Sequence, residues 1–365
     1  MNERALHGGD IAGAARASGR TMDELLDFSA NINPLGPPGA VRAVLRAYAD
    51  AGDLEHYPEP GLPDLCAALA QARCVGTESI AMHAGSAALF DAIFRSLAPQ
   101  RIGIPIPAFA EYRRAADACG IPVHALALDP SSGEPFDPAR IATWIRAERL
   151  DTVVLTNPHN PLGFAVARDS LLGLIEASEQ ATFVIDEAFA DYDESISLAT
   201  DAARHPRIIV VRSLTKFYAM PNLRVGYAIA RAERSRAIAR FVPAWPVSGI
   251  AAAAAIAALG DAAYATRTRA ANAAARAALS GDLAATGIRV LPAAANFLTF
   301  ETDRVSERRA QLLAHDGILI RDCSSFTGLP ADRYARVAVR TPAENARLLA
   351  ALRRTDSPAT FSPSR

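Results

Sequence analysis

The sequence predicts an α/β protein, with a mostly parallel central sheet in a large domain and a smaller α/β domain. Short apolar runs alternate with stretches of helical periodicity, at 102–106, 123–128, 152–156, 182–185, 207–211 and 225–230. Continuous apolar runs at this spacing are typical of strands that helices bury on both faces of a parallel sheet. Polar residues follow several of these runs directly, and ligands of such sheets bind at the carboxyl ends of the strands. We therefore expect a site at that edge.

The rest of the chain predicts how it divides into domains. Apolar runs at 288–291, 297–300, 318–321 and 336–340 alternate with helical stretches, which suits a smaller domain, and residues 251–279 are alanine-rich and helical by propensity. We expect four segments: an N-terminal arm with part of the small domain at 1–50, the large domain at 51–250, the small domain at 251–355 and a disordered tail at 356–365.

Composition and charge argue against several classes of protein. Half of the 365 residues are hydrophobic and the formal net charge is −1, so nothing indicates binding to nucleic acid. No apolar run is long enough to span a membrane, and the first residues lack a signal-peptide hydrophobic region. The four cysteines lack CxxC spacing, and the seven histidines form no metal-binding motif. We expect a cytoplasmic protein with reduced thiols and no metal site.

A segment rich in Asn, Pro and Gly lies near the N-terminus, at residues 27–38. Its composition predicts an ordered loop or an extended arm rather than a helix. The residues alone leave two interpretations open. One is a surface turn closed by Asn side chains, and the other is a segment that lies over a site with polar side chains pointing inward. The residues alone favour the surface turn.

A turn of small residues, Gly85-Ser86-Ala87, runs into a predicted helix with apolar residues on one face. Free backbone N–H groups and the positive end of the helix dipole make such a turn a seat for phosphate. A Gly-Ser pair before a helix is also a common N-cap. Both interpretations stay open from the residues alone.

Lys216 is the only lysine in the sequence, in which lysine and arginine together number 38. Arginine carries charge and binds carboxylate or phosphate, often better than lysine does. Arginine does not form an imine with a carbonyl group. The lone lysine therefore indicates amine chemistry, with Schiff-base formation as the main candidate and chance survival of a solvated lysine as the alternative.

Three other polar or aromatic residues follow the apolar runs and are expected to meet Lys216 in one crevice: Phe109, Asn160 and Asp186. A lysine, a strand-end acid and a phosphate seat together describe a site for pyridoxal phosphate (PLP). The aldehyde of PLP needs an amine, and its pyridine nitrogen needs a carboxylate that keeps it protonated. Its phosphate needs N–H groups and cations.

These motifs together resemble those of the fold-type I, aspartate-aminotransferase-like PLP-dependent transferases, and the resemblance covers essentially the whole chain. It implies that Lys216 forms the imine and that Asp186 pairs with the pyridine nitrogen. It also implies that Phe109 stacks on the ring and that Asn160 donates to the ring hydroxyl. The residues that it assigns to the cofactor phosphate are Gly85, Ser86, Ala87, Ser213 and Arg224.

The same resemblance implies two contacts beyond the cofactor. Arg336 matches the arginine that holds the carboxylate of the substrate. Tyr57 matches a tyrosine that reaches the phosphate of the neighbouring subunit, which implies a homodimer.

Within that superfamily the chain is most similar to the threonine-phosphate decarboxylases of cobalamin biosynthesis, and next to the histidinol-phosphate aminotransferases. The features that carry the first resemblance are His7-Gly8-Gly9, residues 27–36 and Arg321-Asp322-Cys323. It assigns His7, Gly8, Asn31 and Arg321 to the substrate, chiefly to its phosphate, with Asn160 also facing the substrate. This replaces the interpretation of the arm as a surface turn. The expected reaction converts L-threonine O-3-phosphate into (R)-1-amino-2-propanol O-2-phosphate and CO2, and the alternative is transamination of histidinol phosphate.

Two residues depart from the aminotransferase pattern. Phe189 stands where aminotransferases usually carry a tyrosine whose hydroxyl bonds the ring oxygen, so we expect a changed pKa of the imine at Lys216. This departure is compatible with a decarboxylase. His159 stands where asparagine is common, with no clear consequence.

Overall fold

The computed structural model describes residues 8–50 and 54–355. Its helices are α1 (Ile11–Ser18), α2 (Gly39–Asp50), α3 (Pro63–Arg73), α4 (Ser86–Leu97), α5 (Ala110–Ala118), α6 (Pro138–Ala147), α7 (Arg168–Glu176), α8 (Ala199–Ala202), α9 (Ala232–Ala239), α10 (Gly249–Leu259), α11 (Ala262–Ala285), α12 (Val305–Gln311) and α13 (Pro342–Thr355). Its strands are β1 (Leu26–Asp27), β2 (Ile80–His83), β3 (Ile102–Ile106), β4 (Val123–Ala127), β5 (Thr152–Thr156), β6 (Thr182–Asp186), β7 (Ile208–Ser213), β8 (Gly226–Ile229), β9 (Arg289–Val290), β10 (Phe297–Glu301), β11 (Ile318–Leu319), β12 (Arg321–Asp322) and β13 (Tyr334–Ala338).

The central sheet has seven strands in the order β2-β8-β7-β6-β5-β3-β4. Strands β3 to β7 run parallel, and β8 is antiparallel to both of its neighbours. The predicted mostly parallel sheet is therefore confirmed. Strand β2 is absent from the predicted runs; it has only four residues, three of them half-buried.

Helices cover both faces of the central sheet, and the alternation of side chains along each strand decides which face a residue serves. Val153, Ile185 and Val210 pack into one core with α3, α6, α7 and α10. Val154 and Val184, their neighbours in the chain, pack into a second core with α4, α5 and α9. Since both faces are buried, these strands are apolar at successive positions, which is the pattern that predicts them.

A second, four-stranded sheet has the order β12-β13-β10-β9 and packs against α11 and α13. The N-terminal segment joins this part of the molecule, because β1 pairs in parallel with β11, with Leu26 opposite Ile318. Helix α10 packs against α2 and α3 and shares the core of the central sheet. The division into domains at residues 50, 250 and 355 stays a prediction.

None of the single helices in the described ranges combines the length and hydropathy needed to cross a membrane; the pair α10 and α11 meets that test only jointly, across a bend of 73°. Residues 8–50 and 54–355 also hold no group of three or more His, Cys, Asp or Glu side chains arranged to bind a metal ion.

Candidate active site

A cavity of about 360 Å³ lies where the carboxyl ends of the parallel strands face the N-terminal segment and the second sheet. Most of the predicted site residues line it together: Gly8, Asn31, Ser86, Ala87, Phe109, Asn160, Asp186, Ser213, Lys216, Arg224, Arg321 and Arg336. Gly85 precedes Ser86 as the N-cap of α4. Residues that are far apart in the sequence thus converge on one space.

Lys216 stands in the loop that follows β7, and its backbone carbonyl accepts a hydrogen bond from the Asn33 N–H at 3.2 Å. Burial lowers the pKa of its amine to about 8, and the positive charges of Arg224 and Arg336 act in the same direction. The carboxylate of Asp186 opposes that shift. A substantial share of the amine is therefore neutral near pH 8, and the neutral amine is the form that attacks a carbonyl.

Asp186 is the last residue of β6, and its carboxyl group is held by neighbours before any ligand binds. Tyr112 Oη donates to Asp186 Oδ2 at 2.6 Å, and the Ala188 N–H donates to Oδ1 at 3.0 Å. Burial raises the pKa of Asp186 to about 6 despite these hydrogen bonds. A cation placed beside this carboxyl group would bring the pKa back down and would be stabilised by the negative charge.

A buried charge network lies next to the end of β6, which carries Asp186, and the end of β7, which leads to Lys216. Arg212 on β7 is fully buried; its Nη1 is 2.8 Å from Glu187 Oε2 and its Nη2 is 2.7 Å from Glu194 Oε1. Arg73 on α3 pairs with Asp191 at 2.5 Å and shares Glu194. Removing one partner of such a pair leaves an uncompensated buried charge. The network therefore fixes the ends of β6 and β7, although nothing in the sequence marks these residues as partners.

The turn before α4 is shaped for an anion. Gly85 is the N-cap, has φ 89°, and offers no side chain to the first N–H groups of the helix. A Cβ on Gly85 would lie 2.5 Å from Arg224 Nη2, and one on Gly226 would lie 2.3 Å from the backbone nitrogen of Ser86. These two glycines let Arg224, β8 and the turn meet closely, so N–H groups and a guanidinium face the same point.

Arg336 on β13 connects three of the converging segments. Its Nη1 donates to Asn160 Oδ1, and its Nη2 donates to the backbone carbonyl of Ser29 at 3.3 Å. Its Nε is buried without a hydrogen-bond partner in the described part of the chain. Burial lowers the pKa of Arg336 to about 10, so the guanidinium still carries its charge at neutral pH.

Arg321 on β12 stands directly opposite Arg336 in the strand register, so both side chains project from the same face of the second sheet. Arg321 Nη2 donates to Ser325 Oγ at 2.6 Å. Asn31 joins this end of the cavity, and its buried Oδ1 lacks a hydrogen-bond partner among residues 8–50 and 54–355. A Cβ on Gly8 would lie 2.1 Å from the carbonyl oxygen of Ser29, so the chain there admits only glycine. The predicted substrate residue His7 lies outside the described residues.

The two departures from the aminotransferase pattern have different surroundings. Phe189 lines the cavity and packs edge-on against Phe297, with ring centroids 5.2 Å apart. His159 is buried and stacks on Phe164 at 4.6 Å, away from the cavity lining. Burial lowers the pKa of His159 to about 3, so it is a neutral core residue.

Tyr57 is the one described residue of the predicted set that stands apart from the cavity. It is 77% exposed and stacks on Trp245, with ring centroids 4.4 Å apart. Its predicted contact is with a neighbouring subunit and stays a prediction.

Several site residues are missing from the sequence-based set: Ser29, Tyr112, Thr215, Ser325 and Phe326. Tyr112 follows Phe109 by three residues and so lies about one helical turn further along α5. This spacing is a pattern by which the sequence could predict that Tyr112 lies near the site. Ser325 and Phe326 come just after Arg321-Asp322-Cys323 and carry no pattern of their own.

The residues present fit PLP. A buried amine of lowered pKa, a buried carboxyl group of raised pKa and an aromatic ring line the same cavity. The turn at Gly85 has the N–H groups and the guanidinium that a phosphate requires, and only the lack of a Cβ there leaves room for Arg224.

Comparison with known proteins agrees with this assignment. The model of the aminotransferase class I and II family matches residues 23–352. A threonine-phosphate decarboxylase of Salmonella typhimurium is 36% identical over 95% of both chains, and a histidinol-phosphate aminotransferase of Symbiobacterium thermophilum is 33% identical over 91% of both. The structure of a histidinol-phosphate aminotransferase from Clostridium acetobutylicum superposes with a TM-score of 0.84 and 28% identity, covering 91% of this chain and 99% of that one. The chain therefore belongs to the aminotransferase class I and II family, whose cofactor is PLP, as its motifs predict.

Proposed function

We propose that the protein is a PLP-dependent decarboxylase that converts L-threonine O-3-phosphate into (R)-1-amino-2-propanol O-2-phosphate and CO2. The observation that carries the proposal is that Gly8 and Asn31, which the resemblance to the decarboxylases assigns to the substrate, line the cavity. They lie beside Arg321 and Arg336, which stand opposite each other. Two neighbouring guanidinium groups suit a small substrate with two anionic groups, here a carboxylate and a phosphate. The similarity to a threonine-phosphate decarboxylase supports the same substrate. The place in cobalamin biosynthesis and in the cytoplasm stays a prediction.

Transamination of histidinol phosphate is the second candidate, because histidinol-phosphate aminotransferases are also similar to the chain. Its substrate carries a phosphate for Arg321, and its glutamate partner carries a carboxylate for Arg336. The anion-binding residues therefore serve either reaction. The N-terminal segment favours the decarboxylase, since Gly8 and Asn31 reach the cavity.

The residues of the large sheet hold the cofactor and prepare the reaction. When bound, PLP supplies an electron sink for the bond that breaks at the substrate Cα. Asp186 would hold a proton on the pyridine nitrogen, and Phe109 would cover the ring. The phosphate would bind to N–H, hydroxyl and guanidinium donors of Ser86, Ala87, Ser213 and Arg224. Lys216 would provide the amine that holds the aldehyde carbon, and a substantial share of this amine is neutral near pH 8.

The arginines decide which bond at Cα reacts. A decarboxylase has to fix the orientation of the substrate carboxylate, so that the bond from Cα to the carboxylate breaks and the Cα–H bond does not. Arg336 grips that carboxylate, and Arg321 with Asn31 binds the phosphate at the other end of the substrate. Two fixed anchors would restrict the rotation of the bound substrate. After CO2 has left, the protonated amine of Lys216 returns a proton to Cα.

We also infer that the protein acts as a homodimer in which Tyr57 contacts the neighbouring subunit. The exposed stack of Tyr57 and Trp245 supports a partner at this surface. A monomer in sedimentation equilibrium at assay concentrations would contradict it.

The experiment that tests the proposed reaction is CO2 release from purified, PLP-loaded protein supplied with L-threonine O-3-phosphate, with the cofactor absorption followed in the same cuvette. We expect stoichiometric CO2 and a spectrum that returns to its starting form. Absence of CO2, together with conversion to the amino form of the cofactor by glutamate or histidinol phosphate, would establish the aminotransferase instead.

A further inference from the structure

The two arginines at the substrate end of the cavity share one aromatic neighbour. The guanidinium carbon of Arg321 lies 5.4 Å from the centroid of the Phe326 ring, and that of Arg336 lies 5.8 Å from the same centroid. Arg336 also lies 5.3 Å from the centroid of Phe297. Phe326 itself lines the cavity. One ring therefore contacts both of the groups that we assign to the two anions of the substrate.

The position of the Phe326 ring offsets the electrostatic repulsion between the two arginines. Two guanidinium groups that project from neighbouring strands into a poorly solvated space repel each other. The face of an aromatic ring attracts a cation, and most strongly where water is excluded. The thiol of Cys323, also close to both arginines, has a pKa raised to about 11 by burial, so at neutral pH it adds no negative charge between them.

Hydrogen bonds on both sides fix the backbone that carries the Phe326 ring. The Phe326 N–H donates to the Cys323 carbonyl at 3.0 Å, and its carbonyl accepts from the Leu329 N–H at 3.2 Å. The residue is 8% exposed. Ser325 Oγ accepts from Arg321 on the edge of the guanidinium, while the ring of Phe326 contacts its face. A guanidinium that is held at both edge and face has little freedom left to turn.

We propose that Phe326 is a positioning residue that sets the separation of the Arg321 and Arg336 guanidinium groups, and thereby makes the enzyme select substrates with two anionic groups over those with one. The inference rests on the proposed function, in which Arg321 takes the phosphate and Arg336 the carboxylate. It adds a residue that touches neither anion but orients both of the groups that do.

The test compares Phe326→Leu, which keeps most of the apolar volume and removes the ring, with Phe326→Tyr, which keeps the ring. The first readout is the ratio of kcat/KM for L-threonine O-3-phosphate to that for L-threonine. We expect this ratio to fall about tenfold in Phe326→Leu and to stay within about twofold of wild type in Phe326→Tyr. The second readout is the Kd of inorganic phosphate for the holoenzyme by calorimetry, which we expect to rise by a similar factor in the leucine variant only.

A matched control separates positioning from packing. Phe300 is buried in the core of the second sheet, so Phe300→Leu makes the same change in volume away from the cavity and is expected to leave the ratio and the phosphate Kd unchanged. If Phe326→Leu does not fold, Phe326→Met carries the same expectation, since it fills the space without a ring.

The outcomes distinguish the two levels of the proposal. A Phe326→Leu enzyme with wild-type ratio and phosphate Kd, beside a wild type that releases CO2, overturns the inference and leaves the function. Equal losses in the leucine and tyrosine variants also overturn it, because the ring would then be irrelevant. A wild type that releases no CO2 overturns the proposed function, and the phosphate Kd then decides the role of Phe326 by itself.

Discussion

The two ends of the cavity are built differently. At the cofactor end the polar groups already have partners within the chain: Asp186 accepts from Tyr112 and Ala188, and the hydroxyls of Ser213 and Thr215 lie 2.7 Å apart. At the substrate end, Asn31 Oδ1 and Arg336 Nε are buried without a hydrogen-bond partner in the described part of the chain. A buried polar atom without a partner costs free energy, which a ligand recovers if it accepts from Arg336 Nε or donates, for example through its amine, to Asn31 Oδ1. The cofactor end is therefore preorganised, whereas the substrate end has buried polar atoms that can still form hydrogen bonds with a ligand.

The difference follows from where each end comes from in the chain. The cofactor end stands on adjacent parallel strands, with the Arg212 and Glu187 ion pair beside it. The substrate end is assembled from the N-terminal segment, β12 and β13, which meet only through long-range pairing. Changes at the first end should alter chemistry and stability, and changes at the second should alter mainly substrate binding. The following predictions test this division.

The largest expected effect is at the cofactor end. Lys216→Arg keeps a positive charge of similar reach but removes the ability to form an imine. We expect turnover to fall at least about 10³-fold with an unchanged fold, measured by CO2 release and by circular dichroism. Lys216→Ala supplied with methylamine is the control, since a free amine should restore part of the activity. Robust turnover by the arginine variant would contradict the mechanism.

Asp186→Asn should separate stability from activity. The pKa of Asp186 is raised from 3.8 to about 6, so its stabilising contribution is complete below about pH 4 and is lost as the pH rises through 6. Above pH 6 the buried carboxylate costs up to about 3 kcal/mol. We expect Asp186→Asn to raise the free energy of unfolding of the cofactor-free protein at pH 7.5 by up to that amount, and to lower turnover of the holoenzyme.

Urea unfolding at several pH values measures this difference. The gain should shrink as the pH falls from 6 and approach zero only below 3.8, where Asp186 is protonated in both folded and unfolded chains. A gain that does not depend on pH would show that packing, not ionisation, is responsible.

Arg321→Ala probes the substrate end, where we expect the smallest loss. Removing one charge-assisted contact to phosphate should raise KM for L-threonine O-3-phosphate about 10- to 100-fold, with a smaller change in kcat and little change in the melting temperature. Arg333→Ala is the matched control: Arg333 is exposed and pairs with Glu301 at 2.5 Å. A wild-type KM for Arg321→Ala would remove this residue from the phosphate site.

The same division explains how far the sequence alone predicts the site. Asp186 follows an apolar run directly, and three further residues stand three to five positions after such runs: Phe109, Asn160 and Lys216. Parallel strands bring their carboxyl ends to one edge. Local sequence therefore suffices to find them. Arg321 and Arg336 were assigned by family resemblance, and their facing positions depend on the register of β12 against β13.

Residues that serve the site through tertiary contacts carry no local signal. The ring of Phe326 contacts the guanidinium groups of Arg321 and Arg336, and Arg336 lies ten residues further along the chain. The backbone carbonyl of Ser29 accepts a hydrogen bond from Arg336, which lies near the opposite end of the sequence. Arg212 is indistinguishable in the sequence from a surface arginine at a strand end, yet it is fully buried. Pairing across such distances is set by the fold as a whole.

The lone lysine has a practical consequence for experiments. Because Lys216 is the only residue of its kind in the chain and its amine is buried, a lysine-specific protease has a single cleavage point, after residue 216. It reaches that bond only when the active-site loop or the whole molecule opens. The appearance of two fragments on a gel therefore times the opening of the active-site loop in the cofactor-free, unlabelled protein.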